Sequence, residues 1–483
     1  MRVNKILYWL YFSGLGLALL YLAINKGLTG DETGTVAIVN NLTYMEIFQE
    51  KYLGDFNPFG FFILNKIAVD LIDIGSVIYK VIPILFYIGS VYILYKISYL
   101  LSKDKSFSLI NTVVFSLLPL NLFYALFDRA YSYLSLTTLV ITYLTVLMYK
   151  RNNNKLKLSY VAILSTGMYI HFFVGLFTAI LFILLLIFKG TREDIKLLKT
   201  IFWLNIISLV LFIPELLSLV GKFSEVAGIV QEHANLGFVY KFAFTLYGSL
   251  LGMTLSPINS LVVGFVGVSI ALYVVKIFQS KEIFSEPGIQ FSLLFIFISV
   301  TVISMTGFAR PMYVIFILPF ISYIIALFFY KYNAKLATIS IILLMLWSNY
   351  NFFTSSSKYY VSPQDTINYK YYYGEFLSKT IEDDSLIIIS PSYNKSIFDL
   401  YSKKETPNVL YINPYIELDE QFDIKFDDYG EVLVFHEFQS QDVFPIIDKN
   451  LIHFKIERLV KKAHQGFIKK NEYSYFEIRR YTK

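Results

Sequence analysis

Long apolar runs constrain what this chain of 483 residues can fold into more than any other feature of its sequence. Nine runs are each long enough for one membrane-spanning helix, and a tenth, 158–188, is long enough for two helices broken near His171. In lipid every backbone amide must find a partner within the protein, which favours helices. The sequence therefore predicts a polytopic α-helical membrane protein with about eleven transmembrane helices. The nine single runs are 6–24, 79–101, 107–127, 131–149, 200–220, 259–278, 289–307, 311–330 and 335–352.

Lysine and arginine are concentrated in alternate connections between these runs, and the asymmetry predicts the orientation of the chain. Short cytoplasmic loops are rich in these residues. We therefore expect a multi-pass protein of the cell (plasma) membrane with a cytoplasmic N-terminus, and with loops 25–78 and 221–258 and the C-terminal tail outside. The start resembles a signal peptide, but the residues after the first run form a poor cleavage site, which predicts an uncleaved span. The basic connections lie near 103–105, 150–157, 189–199, 276–281 and 331–335.

The tail changes character after residue 353. Charged residues become frequent, and strand-like runs alternate with helix-like segments at Tyr371–Ile381 and Ser396–Lys403. The pattern predicts a small C-terminal α/β domain. We expect a transmembrane domain over 1–353, whose external loop 25–78 carries amphipathic helices, and a soluble extracytoplasmic domain over 354–483. The strand-like runs are Ser385–Ser390, Val409–Asn413, Glu431–His436 and Tyr473–Tyr481.

Several function classes are excluded by what the sequence lacks. It has no cysteine, which removes disulfide scaffolds, thiolate metal sites and cysteine nucleophiles. No compact basic cluster alternates with aromatic residues, so a nucleic-acid partner is not expected. Gly-rich phosphate loops, His-Glu-x-x-His and Gly-x-Ser-x-Gly are absent, which argues against P-loop ATPases, zinc peptidases and serine hydrolases.

The first candidate for chemistry is the adjacent acidic pair Asp31-Glu32, just beyond the outer end of the first run. Ionisable groups at a membrane edge are costly and are therefore candidates for function. A carboxylate at this place is able to accept a proton from an acceptor hydroxyl. The alternative is structural: Asp31 is the N-cap of a helix over Thr35–Gln49, and Glu32 favours its first turn.

Three basic residues, Arg129, His171 and Arg310, also fall at the outer ends of runs. Arginine offers a phosphate a permanent charge and a planar fork of donors. Each residue has a structural alternative: an Asp128–Arg129 pair, a hydrogen-bonded histidine among aromatic rings, or an anchor at a helix end. Their convergence with Asp31 on one membrane face favours a site where a lipid phosphate departs and a hydroxyl accepts the transferred group.

The order of these pieces resembles the integral-membrane GT-C glycosyltransferases, in particular the group of protein O-mannosyltransferases and aminoarabinose transferases. The resemblance covers roughly residues 1–330, and the tail looks like the external domain of some members. Asn57 stands where the family usually has histidine, and Phe59 where it has a second proline. The motifs that carry the resemblance are Asp31-Glu32, Phe56-Asn57-Pro58-Phe59, Lys80-Val81-Ile82-Pro83, Arg129-Ala130-Tyr131, Ile170-His171-Phe172 and Arg310–Tyr313 with Pro319.

The resemblance implies a function and a set of site residues. It implies a GT-C-like fold and an inverting glycosyltransferase that takes a hexose or pentose from a polyprenyl-phosphate donor, of dolichyl or undecaprenyl type, outside the cytoplasm. The acceptor is a hydroxyl of a protein, lipid or glycan of the cell envelope. This subgroup generally needs no divalent metal, so no cofactor is expected. Asp31 is implied as the base and Glu32 as its support, and the implied substrate-binding residues are Arg129, Tyr131, His171, Arg310, Tyr313 and Asn57.

Three alternatives stay open at this stage: a transporter or flippase, a glycan polymerase or ligase, and a non-catalytic assembly scaffold. A transporter or flippase for a lipid-linked sugar would favour charges at mid-bilayer and internally repeated halves. This sequence has its charges at the outer edge and shows no repeat. A glycan polymerase or ligase would use a pyrophosphate-linked oligosaccharide instead of a phosphate-linked sugar.

Overall fold

The architecture is given by a computed structural model of the chain. The structure describes residues 2–25, 28, 30–49, 57–72, 74–151, 153–188, 192–234, 237–252, 254–255, 259–279, 283, 285–306, 310–353, 372–373, 376–380, 385–390, 395–402, 408–412, 428–437, 455–465 and 473–482.

Helices make up most of the described chain, as the apolar runs predict. Each of the predicted spans contains a helix, and the long run 158–188 is broken at His171 as expected. The helices are α1 (Arg2–Asn25), α2 (Gly30–Asn41), α3 (Tyr44–Phe48), α4 (Phe59–Leu71), α5 (Ile78–Ser102), α6 (Lys105–Leu117), α7 (Pro119–Ala125), α8 (Tyr131–Lys150), α9 (Asn154–Ile170), α10 (Phe173–Phe188), α11 (Arg192–Ala234), α12 (Phe238–Leu251), α13 (Ser260–Gln279), α14 (Pro287–Met305), α15 (Leu318–Tyr330) and α16 (Lys335–Phe353). Shorter helical segments are the 3₁₀ helices Gly75–Val77 and Pro311–Ile317, the turn Leu377–Thr380 and the helix Lys395–Tyr401.

The chain is a multi-pass membrane protein. Among the described residues, six helices are long and apolar enough to cross a bilayer, or seven if the bent pair α6–α7 forms one span. Three shorter apolar helices, Leu10–Ile24, Phe173–Phe188 and Phe238–Leu251, lie among them. The region 221–258, expected to be a loop, instead contains the end of α11 and all of α12.

The tail contains a five-stranded sheet in the order β2-β1-β3-β5-β4. The first three strands in this order are parallel, and β5 joins them antiparallel to both β3 and β4. All six residues of β1 are buried, which fits a central parallel strand covered on both faces. The strands are β1 (Ser385–Ser390), β2 (Val409–Tyr411), β3 (Glu431–Glu437), β4 (Lys455–Gln465) and β5 (Tyr473–Thr482).

Two small cores attach helices α2–α4 and the C-terminal sheet to one end of the helical bundle. In one of them, apolar residues of α2, α3 and α4 pack around Ala130 and Ile170, next to Arg129 and His171. In the other, buried side chains of the sheet and of the helix Lys395–Tyr401 pack against α2 and the first turns of α5. Three separate parts of the sequence therefore meet at the end of the bundle where α5 begins.

Candidate functional site

A buried ion pair joins α2 to α5 at this end of the bundle. The side chains of Glu32 and Lys80 are 0% and 3% exposed, and each lies in the first turn of its helix. Lys80 Nζ donates hydrogen bonds to Glu32 Oε1 at 2.6 Å and to the Leu126 carbonyl oxygen at 2.9 Å. Charges withdrawn from water are costly unless they are paired and hydrogen-bonded. The pair therefore ties the position of Glu32 to that of α5.

Asp128 completes the buried cluster. Its backbone N–H donates to Glu32 Oε1 at 2.7 Å, and its side chain, 1% exposed, interacts with the Asn65 amide. Among the residues that the structure describes, none is a hydrogen-bond partner of Asp128 Oδ2. Burial, and then the neighbouring Glu32 carboxylate, raise the pKa of Asp128 well above its ordinary value. We call Glu32, Lys80, Asp128 and Asn65 the acidic cluster.

Five of the predicted site residues meet directly beside the acidic cluster. The Tyr131 ring centroid lies 5.5 Å from that of His171 and 6.1 Å from that of Tyr313. Arg129 and Arg310, both half-buried, act electrostatically on the Tyr131 hydroxyl. The two arginines and three rings come from sequence positions about 180 residues apart, and the fold brings them to one place.

Breaks between helices present these side chains. His171 has extended backbone angles between α9 and α10, its N–H donates to the Gly167 carbonyl oxygen, and its Nδ1 accepts from the N–H of Phe173. Arg310 has extended angles immediately before the Pro311–Ile317 3₁₀ helix. A helix end exposes backbone groups and re-aims the neighbouring side chains, which a continuous span does not do.

Asn57 lies at the edge of the same region. It is half-buried and precedes α4 by two residues, and the next residue, Pro58, is buried. The Phe59 ring centroid is 5.3 Å from that of Tyr169. A Cβ at Gly60 would lie 2.5 Å from the Tyr169 carbonyl oxygen, so glycine is required for α4 to approach the end of α9 this closely.

Asp31 lies in the first turn of α2, next to Glu32, and its side chain lies outside the described residues. Because α2 begins at Gly30, Asp31 is inside the helix rather than at the N-cap of a segment starting at Thr35. That segment is two helices, since Thr43 caps α3 through a reciprocal pair of hydrogen bonds with Glu46. The structural alternative, in which Asp31 is the N-cap of a helix over Thr35–Gln49, is therefore wrong about where the helix begins.

Sequence reasoning missed the roles of three members of the acidic cluster, Lys80, Asp128 and Asn65. Lys80 entered only as part of a motif, although a lysine inside an otherwise apolar run is itself a signal of function. Asp128 was weighed only as a partner of Arg129, whereas the structure brings its backbone to Glu32 and its side chain to Asn65.

Carboxylates and histidines do not gather into a metal site in the part of the chain that the structure describes: no group of three or more is arranged to hold an ion. Metal ions in proteins are held by several converging donors of this kind. The acidic cluster instead balances its charge with the ammonium group of Lys80.

Comparison with solved structures identifies the fold. No protein-family model matches the chain, and no curated protein sequence matches it. ArnT from Cupriavidus metallidurans, in a crystal structure bound to undecaprenyl phosphate, superposes with a TM-score of 0.56 at 9% identity, covering 97% of this chain and 98% of ArnT. The apo structure of the same protein gives a TM-score of 0.53 at 10% identity, covering 98% of both chains. The chain has the GT-C fold.

The fold resemblance that the motifs predicted is thereby confirmed over nearly the whole length of both chains. An oligosaccharyltransferase from Archaeoglobus fulgidus, in a complex with zinc and sulfate, matches more weakly. Its TM-score is 0.48 at 11% identity, covering 87% of this chain and 67% of the other. The two ArnT superpositions, at 9% and 10% identity, establish a shared fold alone, and function has to be argued from the site itself.

Proposed function

We propose that the protein is a membrane glycosyltransferase that moves a sugar from a polyprenyl phosphate to a hydroxyl acceptor. The observation that carries the proposal is the convergence of Arg129 and Arg310 on Tyr131, beside a buried acidic cluster, at one end of the spans. Two arginines at a membrane edge suit a lipid-borne phosphate. The ArnT structure with undecaprenyl phosphate supports the same class of donor for this chain.

In the proposed reaction, the acceptor hydroxyl loses its proton to the Asp31 carboxylate as its oxygen attacks the anomeric carbon of the sugar. The bond between that carbon and the phosphate oxygen breaks, so the configuration at carbon inverts and polyprenyl phosphate departs with the bonding electrons. General base catalysis assists the attack. Arg129 and Arg310 stabilise the negative charge on the leaving phosphate.

The contacts of Glu32 support the choice of Asp31 as the base. Glu32 is fully buried and already accepts hydrogen bonds from Lys80 Nζ and from the Asp128 N–H. A carboxylate held in this way is poorly placed to take a proton from an incoming acceptor. Glu32 therefore has a supporting role in the site, and its neighbour Asp31, in the first turn of α2, accepts the proton.

His171, Tyr131 and Tyr313 form the proposed sugar-binding wall, because stacked rings and their polar edges suit a sugar's mixed apolar and hydroxylated faces. Asn57 is proposed to contact the substrate from the start of α4. The acceptor, a protein, lipid or glycan, is proposed to approach from outside the cytoplasm, in keeping with the lysine-rich loops at the other ends of the spans.

No metal takes part in the proposed reaction. The two arginines supply the positive charge that a divalent ion supplies in other phosphate sites. We expect EDTA to leave transfer unchanged, and a restoration of lost activity by added Mg²⁺, Mn²⁺ or Zn²⁺ would contradict this part of the proposal.

The experiment that tests the donor site is binding of undecaprenyl phosphate to the full chain in nanodiscs. Removing one charged donor from a phosphate contact costs about 1.5–3 kcal/mol, so we expect Arg129→Gln and Arg310→Gln each to weaken binding by at least about tenfold. Arg151→Gln is the matched control, because Arg151 is the exposed C-cap residue at the other end of α8. It should bind like the wild type.

Equal binding by Arg129→Gln and Arg151→Gln would contradict the proposed donor site.

A panel of polyprenyl-phosphate sugars separates the enzyme from a transporter. The enzyme releases polyprenyl phosphate when an acceptor is present, whereas a transporter moves the intact lipid-linked sugar across the bilayer without releasing it.

A further inference from the structure

The C-terminal helix Lys395–Tyr401 packs directly against α2, the helix that carries Asp31 and Glu32. Its residues Phe398 and Tyr401 share a buried core with Val36 and Ile78. Buried apolar contacts of this kind hold two elements in a fixed relation. The tail is therefore in a position to influence the acidic cluster.

Tyr401 makes a polar contact across this interface. Its side chain is 8% exposed, and its hydroxyl oxygen accepts a 2.9 Å hydrogen bond from the backbone N–H of Leu28, which is 373 residues away. The same hydroxyl interacts with the side chain of Ser76 and lies in electrostatic range of Glu32. Burial raises the pKa of Tyr401 to about 12, so the hydroxyl remains uncharged near neutral pH.

The two residues that the Tyr401 hydroxyl contacts, Leu28 and Ser76, lie at equivalent distances along the chain from the two partners of the Glu32–Lys80 pair. Leu28 precedes Glu32 by four residues, and Ser76 precedes Lys80 by four residues. The helix α2 begins at Gly30 and α5 begins at Ile78, so each contact lies two residues before the helix that carries one partner of the pair. One hydroxyl of the tail thus holds both chain segments that lead into the Glu32–Lys80 contact.

We propose that Tyr401 is a positioning residue for the glycosyltransferase site: it fixes the approach of α2 to α5 and thereby the geometry of the acidic cluster. The proposal rests on the proposed function of that site. The path from Tyr401 is short, because Glu32 also accepts the N–H of Asp128, the residue before Arg129. A shift of α2 would therefore reach one of the two arginines that bind the donor phosphate.

Tyr401→Phe removes the hydroxyl and keeps the ring. Leu28 is completely buried, so its N–H would lose its partner without gaining water. Tyr411→Phe is the matched control, since Tyr411 belongs to the same domain and its hydroxyl donates to Asp399 on the exposed surface at 2.9 Å. Both variants lose one oxygen atom from the tail, and the described contacts link only the Tyr401 hydroxyl to residues that lead into α2 and α5.

Hydrogen–deuterium exchange on the full-length protein in nanodiscs tests the positioning step directly. Loss of a hydrogen bond worth about 1 kcal/mol increases local opening about fivefold. We expect amides over 28–41 and 74–82 to exchange about fivefold faster in Tyr401→Phe and at the wild-type rate in Tyr411→Phe. Unchanged exchange in Tyr401→Phe, or equal acceleration in both variants, would overturn the proposal.

Undecaprenyl phosphate binding supplies a readout that a merely structural role would not move. At an unchanged unfolding temperature of the whole protein, Tyr401→Phe should bind the lipid several-fold more weakly, and Tyr411→Phe should bind it like the wild type. Equal affinity in both variants would contradict the positioning role. If the wild type itself does not bind the lipid, the proposed function fails, and the exchange result still decides whether Tyr401 holds α2 to α5.

Discussion

Two acid–base pairs of the same composition lie in opposite surroundings in the helical bundle. Where α5 begins, Glu32 and Lys80 are 0% and 3% exposed. Glu286, just before α14, and Lys331, just after α15, also form an ion pair, but their side chains are 28% and 48% exposed. Water screens the second pair and shares its hydrogen bonds, so that pair contributes little. The first pair has been withdrawn from water, and its charges must satisfy each other.

Two aspartates that bracket α6 and α7 repeat this difference. Asp104, before α6, accepts hydrogen bonds from the Tyr330 hydroxyl and from two N–H groups of the first turn, and these lower the pKa of its carboxyl. Asp128, after α7, is buried beside Glu32, and its pKa is raised. At the end of the bundle with Asp104, the carboxylate caps a helix in the ordinary way. At the end with Asp128, ionisable groups are buried, where charge is costly, which is expected of a functional site.

The largest effect should come from breaking the buried pair. Lys80→Met leaves the Glu32 carboxylate buried without its counter-charge, which typically costs about 3–5 kcal/mol of folding free energy. We therefore expect a strong fall in the unfolding temperature of the detergent-solubilised protein. The double variant Glu32→Gln/Lys80→Met should recover much of the loss, because the unpaired charge is gone. A single variant as stable as the wild type would show that the pair is not buried as described.

A smaller, pH-dependent effect should distinguish Asp128. A carboxyl whose pKa is raised by folding binds its proton more tightly in the native state, so the native state loses stability as pH rises from the ordinary aspartate pKa through the raised value. Asp128→Asn removes this loss. The unfolding temperature of Asp128→Asn relative to wild type should therefore increase between pH 4 and pH 7.5. A difference that stays constant over this range would contradict the raised pKa.

The smallest effect should come from the exposed pair. Glu286→Gln removes one partner of the Glu286–Lys331 contact, and surface ion pairs are worth about 0–1 kcal/mol. We expect an unfolding temperature close to that of the wild type and unchanged undecaprenyl phosphate binding. A loss as large as that of Lys80→Met would mean that the two ends of the bundle do not differ as their exposures indicate.

Much of the fold follows from the sequence because its signals are local. The apolar runs predict the helices, the break at His171 is confirmed, and β1 spans the predicted Ser385–Ser390. The errors also have local causes. The strand β4 (Lys455–Gln465) was missed because its many charged residues hide the alternation expected of a strand. The helix α12 was missed because it is shorter than a typical span.

The site was only partly predictable, since its key contacts join distant positions. Glu32 and Lys80 are 48 residues apart, and Leu28 and Tyr401 are 373 apart. No periodicity in the sequence pairs them. The candidate residues Arg129, His171 and Arg310 were found because charged or polar groups at the ends of apolar runs stand out. The neighbours that hold such groups in place carry no comparable signal.

The measurement that tests the central claim most directly is the release of polyprenyl phosphate by reconstituted Asp31→Asn protein, supplied with polyprenyl-phosphate sugars and acceptor. The control is Asp70→Asn, an exposed carboxylate of α4, which accepts a hydrogen bond from Tyr44. General base catalysis contributes about 10²–10⁴-fold to rate. We predict a fall of that size in Asp31→Asn and wild-type release in Asp70→Asn. Undiminished release by folded Asp31→Asn would contradict the account.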